Sequence, residues 1–305
     1  MAAHGRHPSE AGFTLIELML SVLVLMVVSG VVLQGMLGLG RINDVVANRT
    51  EMHAGVRNAT ELLQQEVGQA GRVSLPGSTL AAAVAPGVVT VVVSSTTGMF
   101  PGLHLVVDIG ASQETVTLTA VNTATNQITG RFVNAHPANA PLSVSGGFAA
   151  GVIPATMANG STGNVLKIIG DINGDGNMLY VEYTCDLASG RLLRNAMPYD
   201  AAVKPAPTIE EVLLDNILPN PGNPAPPCFT YQPKTVDTTT FVIGVAITLT
   251  VRTQDRDPIT KQFQTETKAL LNVSPRNVFN VWQMASLGYS NRVQPLPPVT
   301  ELLLP

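Results

Sequence analysis

Two hydrophobic periodicities divide the chain. From Leu18 to Gly40 there is no charged residue, a run of about 23 positions in which Leu, Val, Met and Gly follow one another without alternation. At helical rise that length crosses the ~30 Å hydrocarbon core of a bilayer. After Arg41 the pattern changes but stays helical. Ile42, Val45, Val46, Arg49, Met52, Val56, Ala59, Leu63 and Val67 recur at steps of three and four, a stripe that runs to about Ala70. The pattern predicts one helix in two halves, the first for an apolar medium and the second for a globular domain, roughly 85 Å long if straight. Gly30, Gly35, Gly38 and Gly40 admit two readings, local unwinding and close helix packing. Gly71 and Pro76-Gly77 end the helix.

Beyond the helix the period becomes two. Short alternating segments at Val88–Val93, Leu103–Val107, Glu114–Val121, Ile128–Val133 and Leu142–Val144 read as strands. Turn signals at Pro101-Gly102, Asp108–Gly110 and Asn122–Asn126 separate them. They predict a small all-β subdomain over residues 76–160, serving as a contact surface or as a spacer. Strands at Asn164–Ile169 and Leu179–Cys185 and a hairpin through Arg191–Arg194 open a second β region. The proline-rich stretch Pro219–Pro227 is an extended loop. Phe241–Val273 is the clearest hairpin. Val245, Ile247, Leu249 and Val251 alternate with polar or small residues, as do Phe263, Ala269, Leu271 and Val273 after the turn at Gln254–Pro258. One face is expected to pack on the helix stripe, and Ser274-Pro275-Arg276-Asn277 reads as the close of the second strand. The fold class expected is α+β: a long N-terminal helix on an antiparallel β head (161–289), an inserted β subdomain (76–160) and a flexible tail (290–305) with Pro295, Pro297 and Pro298.

Composition narrows the function. Charged residues are 12% of the chain, against ~25% in ordinary soluble domains, which suits an exported β-rich protein. A net charge of −4, with no cluster of Lys and Arg, argues against a nucleic-acid surface. The chain has no Gly-x-Ser-x-Gly elbow, His-Glu-x-x-His, phosphate loop or Cys-x-x-Cys, and its five histidines are scattered, so no enzyme is expected. Glu210-Glu211 reads as a solvated face. One segment could hold a metal: Asp171-Ile-Asn173-Gly-Asp175-Gly176-Asn177 through Glu182 satisfies the D-x-[DN]-x-[DN]-G-x5-E calcium template. Asp171, Asn173, Asp175 and Glu182 would bind Ca²⁺ by side chains and Asn177 by its carbonyl. The flanking segments read as strands and not EF-hand helices, so a polar hairpin turn is the competing reading.

The apolar run itself has three readings. A signal peptide needs a small-residue cleavage site, which Gln34 to Arg41 scarcely offers. A plain anchor leaves unexplained the carboxylate of Glu17 beside the run, costly in lipid unless paired. The third reading comes from Gly12-Phe13-Thr14-Leu15-Ile16-Glu17, which resembles the processing site of type IV prepilins and type II secretion pseudopilins. The resemblance implies that a prepilin peptidase cuts between Gly12 and Phe13 and methylates the Phe13 amine, and that Glu17 neutralises the amine of a neighbouring subunit. Residues 1–12 would be the leader, polar with Arg6, His4 and His7, though lacking lysines near the cut and carrying Glu10. Residues 13–71 would be the helix, 13–40 in the membrane.

The helix strongly, and the region from about Asn164 to Asn277 more loosely, resembles PilW-type minor pilins and J-type pseudopilins. That implies a single-pass inner-membrane protein with a periplasmic head, later part of a pilus or pseudopilus. Its expected partners are major and minor pilins, the peptidase and the assembly platform. A pilus-tip adhesin or calcium-dependent binding module remains a different class of reading. In a periplasmic head the only cysteines, Cys185 and Cys228, most simply form a disulfide, with two free core thiols as the alternative.

Overall fold

The computed structural model describes Gly12, residues 14–208 and residues 211–305. Helix α1 runs unbroken from Leu15 to Gln69. Its glycines at 30, 35, 38 and 40 stay helical, with open space where a side chain would stand among the described residues, so the helix is not unwound at its middle. The stripe is buried later than its periodicity suggests. Met52, Val56, Ala59, Leu63 and Val67 are covered, while Ile42 and Val46 stand exposed beyond the head.

The head is built in layers. Strands β1 (Ser78–Thr79), β2 (Gly87–Val92), β3 (His104–Val107), β4 (Glu114–Asn122), β5 (Gln127–Phe132) and β6 (Pro141–Val144) form a six-stranded sheet in the order β1-β6-β3-β4-β5-β2. After the short β7 (Gly147–Phe148) come β8 (Val165–Gly170), β9 (Leu179–Asp186), β10 (Arg191–Pro198) and β11 (Val212–Asp215), a meander in the order β11-β10-β9-β8. The third sheet holds β12 (Ile217–Leu218), β13 (Phe229–Val236), β14 (Thr239–Arg252) and β15 (Thr265–Val273), with β14 paired to all the others. All pairings in these three sheets are antiparallel.

The meander is the middle layer, and alternation along its strands explains why. Leu166 and Ile168 of β8, Val181 and Tyr183 of β9 and Leu192 of β10 join the α1 stripe and the inner face of β14 in one core. Their alternates Ile169, Tyr180 and Met197 join a second core with Leu105, Val116, Leu118, Ile128 and Phe132 of the six-stranded sheet. A sheet buried on both faces reads as nearly continuous hydrophobicity, as Val165–Gly170 does.

Three expectations are corrected. Ser274-Pro275-Arg276-Asn277 does not merely close a strand: Pro275 caps a helix, α2 (Arg276–Ser286). Its Val278, Val281, Trp282 and Ala285 pack with Phe241 and Ala149 at helical spacing. The inward phase expected for the second hairpin strand also changes, because register slips between Val245↔Val273 and Ile247↔Leu270. Past that bulge the neighbours of Leu249 and Val251 are Lys268 and Glu266; Glu266 pairs with His53 of α1, and Ala269 is exposed.

Nor do residues 290–305 hang free. Val293–Gln294 (β16) pairs in parallel with β7, and fully buried Gln294 bonds both His104 main-chain groups (2.9 and 3.0 Å) and Ser145 O (2.9 Å). Leu303 and Leu304 are in the second core, and buried Lys167 donates to the Leu304 carbonyl. The prolines set the tail's extended path, and these buried contacts hold it.

Candidate functional site

The N-terminal site is built by a capping box. Thr14 is the N-cap of α1. Its hydroxyl accepts from the Glu17 N–H (3.3 Å), and the Glu17 carboxylate accepts from the Thr14 N–H (2.9 Å) and hydroxyl (2.9 Å). The carboxylate is therefore folded back over the first turn, beside the position where the chain enters the helix. Phe13, the expected site of cleavage and methylation, lies outside the described residues; Gly12 and Glu17 lie within them. From Leu15 to Gly40 every position is exposed, with mean hydropathy 2.6 over an 18-residue window none of which is buried. Among the described residues α1 is the one helix long and apolar enough to cross a membrane. An apolar surface of this extent requires a partner outside its own chain, lipid or other helices.

Residues 8–33 match the family described as the prokaryotic N-terminal methylation motif. The N-terminus of this chain is type IV pilin-like. Comparison of the chain with curated proteins and with solved structures returned no match. The pilin-like motif implies processing by a prepilin peptidase and assembly with other pilins, and it points to a structural protein rather than an enzyme. Together with the apolar helix it is consistent with anchoring in the inner membrane.

The calcium-template residues are divided between a turn and a strand. Asp171, fully buried, faces the Arg72 guanidinium (3.4 Å) and accepts from the Gly176 N–H (3.3 Å). Asp175 accepts from the Asn173 side chain (2.8 Å) and the Asn177 N–H (2.8 Å). Glu182 lies on β9 and serves another cluster, bonded to Tyr180 Oη (2.8 Å) and Lys204 Nζ (2.9 Å) with Lys167 Nζ at 3.6 Å. Without Glu182 the set lacks the carboxylate that closes such a site, and Arg72 already supplies the positive charge at Asp171. Among the described residues no group of three or more His, Cys, Asp or Glu is placed to hold a metal ion. The geometry is that of a polar turn clamped by Arg72.

Cys185 and Cys228 form a disulfide that ties β9 to the residue before β13, so it staples together the two sheets that cradle α1.

Two clusters that hold the head together were not apparent in the sequence. Glu66 sits on the buried face of α1 between Leu63 and Val67. Its carboxylate accepts from Arg194 Nη2 (2.6 Å), from Arg194 Nε shared between both oxygens (3.1 and 3.2 Å) and from the Tyr183 hydroxyl. Burial, then the Glu66 charge, pushes the Tyr183 phenol far above its usual range. A carboxylate on an apolar stripe was the available signal, because such a group must find a cation. In the six-stranded sheet, His136 has no exposed side-chain surface and sits between Asp108 (Nδ1, 3.2 Å) and Glu114 (Nε2, 2.7 Å). Its partners are 28 and 22 residues away, a pairing that no sequence spacing announces.

Proposed function

We propose that this chain is a minor pilin of the PilW type that helps to assemble a type IV pilus. In this reading a prepilin peptidase removes residues 1–12 and methylates Phe13. The protein waits as a single-pass inner-membrane protein with its head in the periplasm, then enters the fibre by exchanging lipid for neighbouring helices. Glu17 meets the amine of an adjacent subunit, two charges each costly in an apolar medium and tolerable as a pair. The layered head supplies contacts to unlike pilins. The observation that carries this reading is the junction of a prepilin motif with a helix whose first half is apolar all round and uncovered by the described residues of its own chain. The disulfide supports an oxidising compartment for the head.

The same motif and helix would serve a J-type pseudopilin of a type II secretion system, with the same partners in kind and a secretion piston as the product. The deciding experiment is the mass of the N-terminal peptide of protein recovered from its native membranes. Phe13 carrying one added methyl is expected; a chain still beginning at Met1 in cells with active peptidase overturns the pilin reading. Co-purification with sheared surface fibres, against loss of exoprotein secretion on deletion, then separates pilus from pseudopilus.

A further inference from the structure

The β14–β15 hairpin points along α1 toward the end of the apolar run. Asn277 bonds the Gln69 carbonyl at one end of the buried helix segment (3.0 Å), and Glu266 meets His53 lower down. Lower still, Asn48 grips the Asp255 main chain, donating to its carbonyl (2.7 Å) and accepting from its N–H (3.4 Å). The hairpin then continues past Asp255, closing through the Asp257 N–H to Gln262 carbonyl bond (2.9 Å), with its apex at 258–261.

Helical rise fixes the height. The eight residues from Gly40 to Asn48 are ~12 Å of helix. The loop runs three residues from Asp255 to Pro258 toward the apolar end, covering up to ~10 Å at strand rise. The apex therefore lies between the levels of Asn48 and Arg41, no more than ~12 Å from the end of the apolar run and facing the roughly 5–8 Å headgroup layer that borders the hydrocarbon core on each side.

What the apex carries suits that layer. Ile259 is 63% exposed and flanked by exposed Arg256 and Lys261. The turn is held in shape by Asp257, whose carboxylate accepts from the Ile259 and Thr260 N–H groups (2.7 and 3.0 Å) and from Gln264 (2.9 Å). Arg256 is placed by stacking over Phe263, 5.1 Å from the ring centroid, beside Arg252 at 4.4 Å. Arg41, the first residue after the apolar run, adds a further cation on the membrane side of the head, with Asp44 and Asp255 as the anions of the same stretch. An apolar side chain between basic ones, on a hydrogen-bonded turn at the end of the head nearest the apolar run, is the chemistry of a contact with an anionic phospholipid surface.

We propose that the 256–261 apex is a membrane-surface foot. Before assembly it rests Ile259 in the headgroup layer of an anionic bilayer, with Arg256 and Lys261 against lipid phosphates, and so fixes the tilt of the head over the membrane. The proposal rests on the membrane reading of α1, and the test separates the two. Full-length protein with its sole tryptophan replaced (W282F) receives a single reporter at Ile259→Trp, at Leu25→Trp within the apolar run, or at Val88→Trp on the six-stranded sheet. Each is reconstituted in phosphatidylcholine vesicles with and without phosphatidylglycerol, containing lipid with a headgroup spin label or brominated acyl chains.

The expected result is Leu25→Trp quenched by brominated chains, Ile259→Trp quenched by the headgroup label, and Val88→Trp by neither. Quenching at position 259 is expected to rise with phosphatidylglycerol and to fall when Arg256→Glu and Lys261→Glu are added. Quenching at 259 no greater than at 88, with 25 still quenched, overturns the foot and leaves the membrane helix standing. Loss of quenching at 25 overturns the membrane reading and the foot with it. Quenching at 259 that ignores phosphatidylglycerol and both charge reversals overturns the phosphate contact.

Discussion

Between Leu15 and Gly40 helix α1 is, apart from Glu17, apolar on every side and exposed throughout, whereas between Met52 and Gln69 it is apolar along one stripe and that stripe is core of the head. One backbone hydrogen-bond ladder runs through both, so helical propensity does not distinguish them. The distribution of polar residues does. Where Arg57, Glu61 and Gln64 face water, the remaining side of the helix can be satisfied by the chain's own sheets. Where no polar face exists and the described residues of the chain leave the helix bare, its apolar surface is left for lipid or other helices to cover. Each segment also carries a carboxylate, Glu17 and Glu66, and the contrast extends to them. Glu66 is satisfied inside the chain by Arg194 and Tyr183; among the described residues Glu17 is held by its own helix cap alone.

The largest break in this comparison comes from loosening the cradle of the buried half. The disulfide spans 43 residues, and its removal in a Cys185→Ala, Cys228→Ala pair costs about 4 kcal/mol by loop entropy. Urea unfolding of the detergent-solubilised protein, followed by Trp282 fluorescence, checks this, with the helicity of the exposed half expected to survive. Next is Leu63→Ala, a fully buried side chain at the centre of the first core, expected to cost about 3 kcal/mol in the same assay. Its counterpart Leu25→Ala should leave head stability unchanged to within ~0.5 kcal/mol, since Leu25 is exposed. A comparable loss from both would mean that the two halves are not independent.

The carboxylates sharpen the contrast further. Glu66→Gln weakens a mostly buried pair whose Arg194 retains partial exposure, and a loss of about 2 kcal/mol is expected after that discount for solvent. A double-mutant cycle with Arg194→Met should show most of that loss as coupling. Glu17→Gln should leave unfolding of the head unchanged and instead reduce the protein recovered with fibres. Equal stability effects from the two would remove the distinction drawn here between an internally and an externally satisfied charge.

The two halves of α1 were legible because periodicity over dozens of residues is a strong local signal, and the motif at Gly12–Glu17 because its residues are contiguous. Strand positions were legible for the same reason, by alternation bounded by turns. What was hidden depends on register and long-range pairing. The bulge in β15 reverses which residues face the helix, and no alternation pattern reports a bulge in advance. Glu182 completes the calcium template in sequence, yet cross-strand pairing opposite Lys167 commits it elsewhere. Helix α2 was readable from Val278, Val281, Trp282 and Ala285, but the proline before it suggested a strand end. The tail's prolines suggested mobility, and burial of Gln294 and Leu303 depends on partners more than a hundred residues away.

The smallest expected effect concerns the six-stranded sheet and shows whether it is energetically separate from the α1 core. Burial works to raise the Glu114 carboxyl, but the His136 ring and the Val133 and Asn134 N–H groups outweigh it and hold it below its usual range. Asp108 is held low by the Ile109 N–H and by His136. Because both carboxyls have lower values in the folded state than in the unfolded chain, their contribution is complete above the ordinary carboxylate range. It is lost as pH falls through their depressed folded values. Acidification should therefore speed amide exchange in β3–β6 before it affects the Met52–Gln69 segment of α1, whose core holds neither group. Glu114→Gln should flatten that acid response. If the α1 segment loses protection at the same pH and to the same degree, the layers open as one cooperative unit, and the helix senses the outer sheet through the meander between them.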